Sequence, residues 1–445
     1  MQKHPFINNP HRTLLGLSIP VLFSLVAEPL TGLADTAFIK VEGVQALAAL
    51  GVGAAALSSI FWVFGFLGIG TQTQIAQLSG KNLTKNVAEV SALALALSLF
   101  FGLLFIVVGW PLSTSVARLM GAEGAIQQDA ALYMRVRLLG GPAVIGLMAA
   151  FGVLRGLQDM KTPLWIAVSL NGINIALDAL LISGAGPIPA YGIVGAAWAS
   201  VVAQWVGAIW AAGAVFKRVG LPGQLRWQQS IDLLKVGGDL FIRSGLLTGF
   251  LLLTTRVATQ AGAGSAAAHQ AIRGMWFFIV LGLNSLALTA QSLVGYFYGA
   301  AEMELARRVA RFSAVWSFWL GVGIAVGLWL GRWLIIEWLV PESAIDIFLP
   351  AWLVTMVGFP ISVLGFATDG IHWGTGDFPF LRNTMIVATF ISAVGLLLID
   401  TQSLHALTWI WGVMILWATL RAALGFLRIW PGIGASPLLG LSDRD

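Results

Sequence analysis

Long apolar runs separated by short polar breaks cover this chain from one end to the other. They fall near residues 14–38, 44–78, 88–110, 128–154, 163–184 and 191–216, and then near 233–258, 264–298, 310–333, 347–372, 380–400 and 404–428. A helix needs about 20 apolar residues to cross a hydrocarbon core, and each run is about that long or longer. Lipid offers the backbone no hydrogen-bond partners, so spans of this kind fold as α-helices. The pattern predicts an all-α polytopic membrane protein with twelve transmembrane helices.

The second six runs repeat the first six. A shift of 219 residues lays LLGLSIP (14–20) on LLKVGGD (233–239), Gly43 on Gly262, Gly80 on Gly299 and Val90 on Val309. A shift of 218 sets Pro142 on Pro360, Gly156 on Gly374 and Asp159 on Asp377. Landmark residues at constant offset mark an internal repeat rather than chance likeness among apolar segments. Six spans per half is an even number, so both halves run in one direction. Two six-helix lobes related by a pseudo-two-fold along the membrane normal are expected, with a cavity between them and rocking of one against the other. The polar connection KRVGLPGQLRWQQS (217–230) lies at the midpoint. The expected organisation is a first lobe over 1–217, a cytoplasmic linker over 218–230 and a second lobe over 231–445.

Composition narrows the function classes. Of 445 residues, 58% are hydrophobic and only 10% charged, against about 25% charged in soluble proteins. Almost nothing is left for a soluble domain. The net charge of +5 comes from basic residues scattered singly, which does not fit a nucleic-acid partner. With no cysteine, disulfides, thiolate metal sites and cysteine nucleophiles are excluded. The five histidines are dispersed, and neither a Ser/His/Asp grouping nor an H-E-x-x-H pattern occurs, so no catalytic residue, enzyme activity or metal is expected. Nothing resembles the filter or charged ring of a pore-forming channel. The polar start MQKHPFINNPHRT reads as the flank of an uncleaved insertion signal. Lys3, Arg12, Lys81, Lys85, Arg155, Lys161, Lys217, Arg218, Arg226, Arg307, Arg308, Arg311, Arg382, Arg428 and Arg444 fall on one side of the spans, against Lys40, Arg118 and Arg332 on the other. That asymmetry predicts cytoplasmic termini.

Carboxylates inside spans cost about 2.5–3.5 kcal/mol each on insertion scales, so they mark function. In the first span Ser24, Glu28, Thr31 and Asp35 follow at steps of four, three and four, and in the fifth Asn171, Asn174 and Asp178 share a face. At about 1.5 Å per residue, Asp35, Asp178 and the fourth-span Tyr133 reach a similar depth in the outer half. Lipid cannot satisfy such polar stripes, so they should face one another or water. A carboxylate pair in a low-dielectric pocket is a device for exchanging protons. The plainer reading is helix-to-helix bonding, worth about 0.6 kcal/mol per contact. Pro20 and Pro29 each remove a backbone bond from the first helix, and Pro20 is the expected hinge, a static kink being the alternative. The second-half counterparts are Thr254, Ser392 and Leu396, so the acidic cluster belongs to the first half. The second half has its own polar set. Asp239 and Arg243 are expected i, i+4 partners, with Asp369 and His372 at a comparable inner depth. These form an inside gate, a cation site or a structural salt-bridge cluster. Arg256 is expected to snorkel outward, while His269 and Arg273 sit deeper without an assigned role.

LADTAFIK in the first span, LRGLQDMKTP after the fourth and NGINIALD in the fifth, within two parallel six-span halves, resemble the multidrug and toxic compound extrusion (MATE) family, in particular its DinF-like branch. The resemblance covers essentially the whole chain. It implies a prokaryotic inner-membrane antiporter that expels amphipathic, often cationic small molecules against an inward flow of protons, with sodium as the alternative coupling ion and no other cofactor. A monomer in the bilayer is the default expectation. The resemblance further implies that Asp35, Asn174, Asp178 and Tyr133 carry the coupling ion and that the first helix bends at Pro20. The position of a sixth-span hydroxyl reads Gly195-Ala196 here, which implies a smaller network. Other branches place cation-binding acids on the seventh and tenth spans, where Asp239 and Asp369 are a loose match. A lipid-linked precursor flippase of the same superfamily is the alternative. It would need an arginine-rich cavity, for which Arg243, Arg256 and Arg273 are the candidates.

Overall fold

The computed structural model describes residues 4–184, 186–223 and 228–439, apart from the side chains of Glu28, Phe278 and residues 228–230. The side chain of Glu28, residues Lys3, Arg226 and Arg444, and the core of the expected linker lie outside that description. Among the described residues, nine α-helices make up the first half: α1 (Pro5–Asn8), α2 (Pro10–Ile39), α3 (Val44–Val63), α4 (Gly65–Gly80), α5 (Thr84–Leu119), α6 (Gly124–Leu138), α7 (Gly141–Gly156), α8 (Lys161–Leu181) and α9 (Gly192–Val219). Seven follow in the second half: α10 (Gln228–Gln260), α11 (Ala263–Gly299), α12 (Met303–Leu330), α13 (Arg332–Leu339), α14 (Ile345–Thr375), α15 (Phe378–Leu397) and α16 (Ala406–Ile429).

Eleven candidate membrane spans are present among the described residues, and twelve when α6 and α7 serve as one span bent by 50° at the break between them. The all-α, twelve-span expectation holds. The bend sits where Gly140, Gly141 and Pro142 follow one another. Pro142 falls in the first turn of α7, where its missing N–H is tolerated and a helix can restart. Other prolines lie within continuous helices, among them Pro20 and Pro29 in α2, Pro111 in α5 and Pro350 and Pro360 in α14.

The sequence repeat is also a repeat of packing. A Cβ on Gly152 would run into the backbone of Gly68, and a Cβ on Gly370 would run into that of Ala287. Gly156 closes on Gln72 and Ile75 as Gly374 closes on Gln291 and Val294, and Gly102 meets Pro142 as Gly321 meets Pro360. These are the same offsets of 218 and 219, now between packed helices. Small residues let helix backbones approach closely where lipid supplies no hydrophobic drive for association. The turns repeat as well. Gly43 and Gly262 precede α3 and α11 with φ of 103° and 105°, a conformation that favours glycine.

By packing, the chain divides into two compact units, Ile19–Gly237 on one side and Met1–Ser18 with Gly238–Asp445 on the other. The divisions fall inside α2 and inside α10, at positions 219 residues apart, and not in the polar midpoint segment. The reason is visible in the core. Phe6 and Leu14 are fully buried in a cluster with Leu293, Phe297 and Val309, so the first turns of the chain pack with the second half. The unit Ile19–Gly237 has its main cluster around Leu57, Phe61, Tyr133, Met134 and Ile145. The other unit is centred on Phe250, Trp352, Phe359, Trp411 and Trp417.

Candidate functional site: a buried acid pair

Four helices of the unit Ile19–Gly237 deliver polar side chains to one buried place. On α8, Asp178 is fully buried and Asn174 is nearly so. Asn174 Nδ2 donates to Asp178 Oδ2 at 3.0 Å, one helical turn away. The Asp35 carboxyl of α2 stands within hydrogen-bonding reach of the Asp178 carboxyl. Asp35 Oδ1 and Asp178 Oδ1 are both shut off from solvent and receive no N–H or O–H donor among the described residues. Ionised carboxylates are acceptors only, so two in contact require a hydrogen or a cation between them.

From α6 come Tyr133 and Arg137, again one turn apart. Tyr133 is buried against Gly53 of α3, whose absent side chain leaves space for the ring. Its hydroxyl lies close enough to the Arg137 guanidinium for the two to interact. Arg137 Nη1 donates to Gln204 Oε1 of α9 at 2.8 Å. The Arg137 charge is felt by Asp35, Asp178 and Tyr133.

The other unit holds a second polar cluster. Arg382 Nη1 of α15 donates to Asp239 Oδ1 at 2.6 Å. Arg243 of α10 and Arg421 of α16 both donate to Asp369 Oδ2 of α14, Arg421 at 2.6 Å. His372 Nδ1 lies 3.7 Å from Asp377 Oδ2, and its Nε2 lies 3.3 Å from the Gly425 carbonyl. Arg428 Nε donates to the same Asp377 oxygen at 2.9 Å.

A family model for MatE matches residues 20–180 and again residues 240–398. The chain belongs to the MatE family. Its two matched stretches are the two halves of the repeat. "Protein DETOXIFICATION 44, chloroplastic" of Arabidopsis thaliana is 28% identical, over 98% of this chain and 85% of that protein. "DNA damage-inducible protein F" of Escherichia coli is 27% identical, over 96% and 93%. The "Probable multidrug resistance protein NorM" of Thermotoga maritima is 28% identical, over 86% and 82%. Among solved structures, MATE in the bent conformation superposes with a TM-score of 0.87 at 22% identity, covering 95% of each chain. An outward-facing multidrug resistance MATE transporter does so at 0.86 and 23%, covering 96% and 97%. These structures share the fold. The MatE chain is a multi-pass membrane transporter and not an enzyme, from a family that handles small molecules within the membrane.

Depth and stripe reasoning placed Asp35, Tyr133, Asn174 and Asp178 at one level of this MatE chain, and the structure brings them together. It missed Arg137 and Gln204. The signal was there: Arg137 lies in a span, four residues from Tyr133 and so on the same helix face. The rest of the first-span stripe is engaged locally. Thr31 Oγ1 donates to the Ala27 carbonyl at 3.1 Å, and Ser24 Oγ accepts from Arg155 Nη2 at 3.1 Å. At Gly195 a side chain would collide with the Leu181 carbonyl, which explains why that position holds no hydroxyl residue. The sixth span contributes Gln204 instead.

In the second cluster the expected pairing of Asp239 with Arg243 gives way to two others. Arg382 and Asp369, on neighbouring helices, supply better desolvated partners than an i, i+4 neighbour. Guanidiniums hold one oxygen each of Asp239 and Asp369. The three flippase arginines do not converge. Arg243 and Arg256 are thirteen residues apart on α10, roughly 20 Å along the axis, and Arg273 donates to Gln270 Oε1 at 2.8 and 3.1 Å. Buried His269 packs on the Trp411 ring, with Nε2 3.3 Å from Thr255 Oγ1.

Proposed function

We propose that this MATE-family protein is a proton-driven antiporter of a prokaryotic inner membrane, exporting amphipathic, chiefly cationic small molecules. It works as a monomer with both termini in the cytoplasm. One observation carries the reading: half-buried Asp35 and fully buried Asp178 face each other, each with an oxygen that is shut off from solvent and receives no donor among the described residues. A proton between them satisfies both oxygens through one O–H···O bond. Its removal leaves two like charges side by side, which Arg137 offsets. A site that passes between these conditions can be loaded on one side of the membrane and emptied on the other.

The donor set also favours a proton over sodium, because a proton is shared by two carboxyl oxygens through one O–H···O bond, whereas a sodium ion needs several oxygen ligands around it. Pro20 supports a link between proton and shape. Its missing N–H weakens α2 within two residues of the point where α2 passes from one packing unit to the other, and Asp35 lies further along the same helix. No cofactor beyond the coupling ion is proposed.

The test is ethidium transport by purified protein in vesicles under an imposed pH gradient, and separately under a sodium gradient. The expected result is transport driven by the pH gradient, abolished in Asp35→Asn and Asp178→Asn. Transport driven equally well by sodium alone would overturn the proton assignment. Unaltered transport in both variants would overturn the site.

A further inference from the structure

The second polar cluster carries a buried surplus of positive charge that proton coupling does not use. Arg382 is matched by Asp239 and Arg428 by Asp377, one to one. Arg243 and Arg421, by contrast, share a single carboxylate oxygen of Asp369. The side chains of this trio are only 10%, 6% and 7% exposed, in the order Arg243, Arg421, Asp369. Two guanidiniums on one acid leave one cation uncompensated inside a membrane-embedded unit, where an unpaired charge is costly.

Aromatic rings offset part of that cost. The Arg421 guanidinium lies 4.5 Å from the Trp417 ring centre and 5.9 Å from that of Phe366, and Arg243 lies 5.6 Å from that of Trp373. Ring faces attract cations but do not neutralise them. A second observation, independent of charge counting, points the same way. Arg243 Nε is buried and has no acceptor among the described residues, although Nη2 of the same group is committed to Asp369. An arginine fork with one arm committed and another buried without an acceptor can take a further carboxylate oxygen.

We propose that Arg243, Arg421 and Asp369 form an anion site, which takes the carboxylate of an amphipathic small molecule whose apolar body lies against the neighbouring aromatic side chains. The incoming carboxylate accepts from Arg243 Nε, balances the surplus charge and competes with Asp369 for the guanidiniums. Asp369 holds the arginines in place when no ligand is present. Substrates of this transporter then include carboxylate-bearing and zwitterionic amphiphiles beside simple cations. The site lies in the unit that lacks the acid pair and is tested by binding alone, so its failure is distinguishable from a failure of the proton reading.

The experiment uses the purified full chain in phosphatidylcholine nanodiscs, with empty nanodiscs as background. Tryptophan-to-pyrene energy transfer reports binding of 1-pyrenebutyrate and of its uncharged analogue 1-pyrenebutanol. The expected result is at least tenfold preference for the carboxylate. Arg243→Gln lowers that affinity about tenfold and leaves pyrenebutanol unchanged. Asp369→Asn, which removes the competing acid, raises it. Arg243→Lys keeps the charge without the fork and falls between, so the proposal stays decidable if one variant fails to fold. Equal binding of the two probes, or carboxylate binding indifferent to Arg243→Gln, overturns the proposal. Loss of pyrenebutyrate binding when phosphatidylglycerol enters the nanodisc, with pyrenebutanol binding unchanged, would identify an anionic lipid headgroup as the occupant, and overturn it too.

Discussion

Arg137 donates to Gln204 across α6 and α9 at 2.8 Å, which pins a guanidinium beside the Asp35–Asp178 pair. Removing the acceptor costs a hydrogen bond to a charged group, about 1.5–3 kcal/mol, and lets the guanidinium drift. Gln204→Leu is expected to lower pH-driven ethidium transport about tenfold while the protein still elutes as a single species in detergent. Arg137→Gln is expected to abolish transport, because the deprotonated pair then faces no cation. Wild-type rates in Arg137→Gln would show that the guanidinium only props the helices apart.

Asn174 supplies the donor that reaches Asp178 Oδ2. Without it both oxygens of a fully buried carboxyl lack a donor, a penalty of about 1–3 kcal/mol. Asn174→Ala should lower the thermal unfolding midpoint and slow transport. Asn174→Gln, with a longer amide, should recover part of both. A midpoint unmoved by the alanine change would mean that water replaces the amide.

Tyr133 owes its position to Gly53, whose Cβ site the ring edge already occupies. Gly53→Ala forces the ring or α3 to move, and overpacking of this kind costs about 1–3 kcal/mol. We expect transport to fall as far as it does in Tyr133→Phe, which loses only the hydroxyl. Full activity in Gly53→Ala would show that the phenol has latitude.

The paired glycine crossings predict paired effects. Gly152→Ala and Gly370→Ala each drive a methyl group into an opposing backbone and should destabilise by about 1–3 kcal/mol. Gly146→Ala and Gly412→Ala, on α7 and α16 with open space at the same atom, should be neutral or stabilising by up to about 1 kcal/mol. Thermal unfolding of the four variants in one detergent checks the contrast.

Pro20 offers the test of helix flexibility. Pro20→Ala gives back a backbone donor inside α2 and relieves the clash with the preceding turn. The expected outcome is a stability equal to or above that of the parent with slower pH-driven transport. Faster transport would exclude a hinge at this position.

Much of this arrangement was legible in the chain because lipid imposes simple rules. Apolar run length marked the spans. The constant offset that lays Gly43 on Gly262 and Pro142 on Pro360 exposed the repeat, and the same offset reappears in the contacts of Gly152 and Gly370. Asp35, Asn174 and Asp178 stood out because a polar group in a span must be matched by another. Arg137 was less legible, because its direction depends on a partner from another helix, Gln204 of α9.

Sequence periodicity was less informative for ion pairing. Asp239 and Arg243 have the spacing of helix partners, yet each prefers an arginine or aspartate from a neighbouring helix. Local spacing says which side chains share a face. It does not say which competitor a packed neighbour brings to that face.

The sequence by itself determined the membrane character, the spans and their duplication, since each follows from local hydropathy and from residue identity at a fixed offset. Only the tertiary structure decided that α2 and α10 are divided between two packing units, that Arg137 joins the acid pair through Gln204, and that two arginines converge on Asp369. Those outcomes depend on which helices lie side by side. That is set by close-packed contacts between residues far apart in the chain, such as Gly152 against Gly68, to which a one-dimensional pattern is blind.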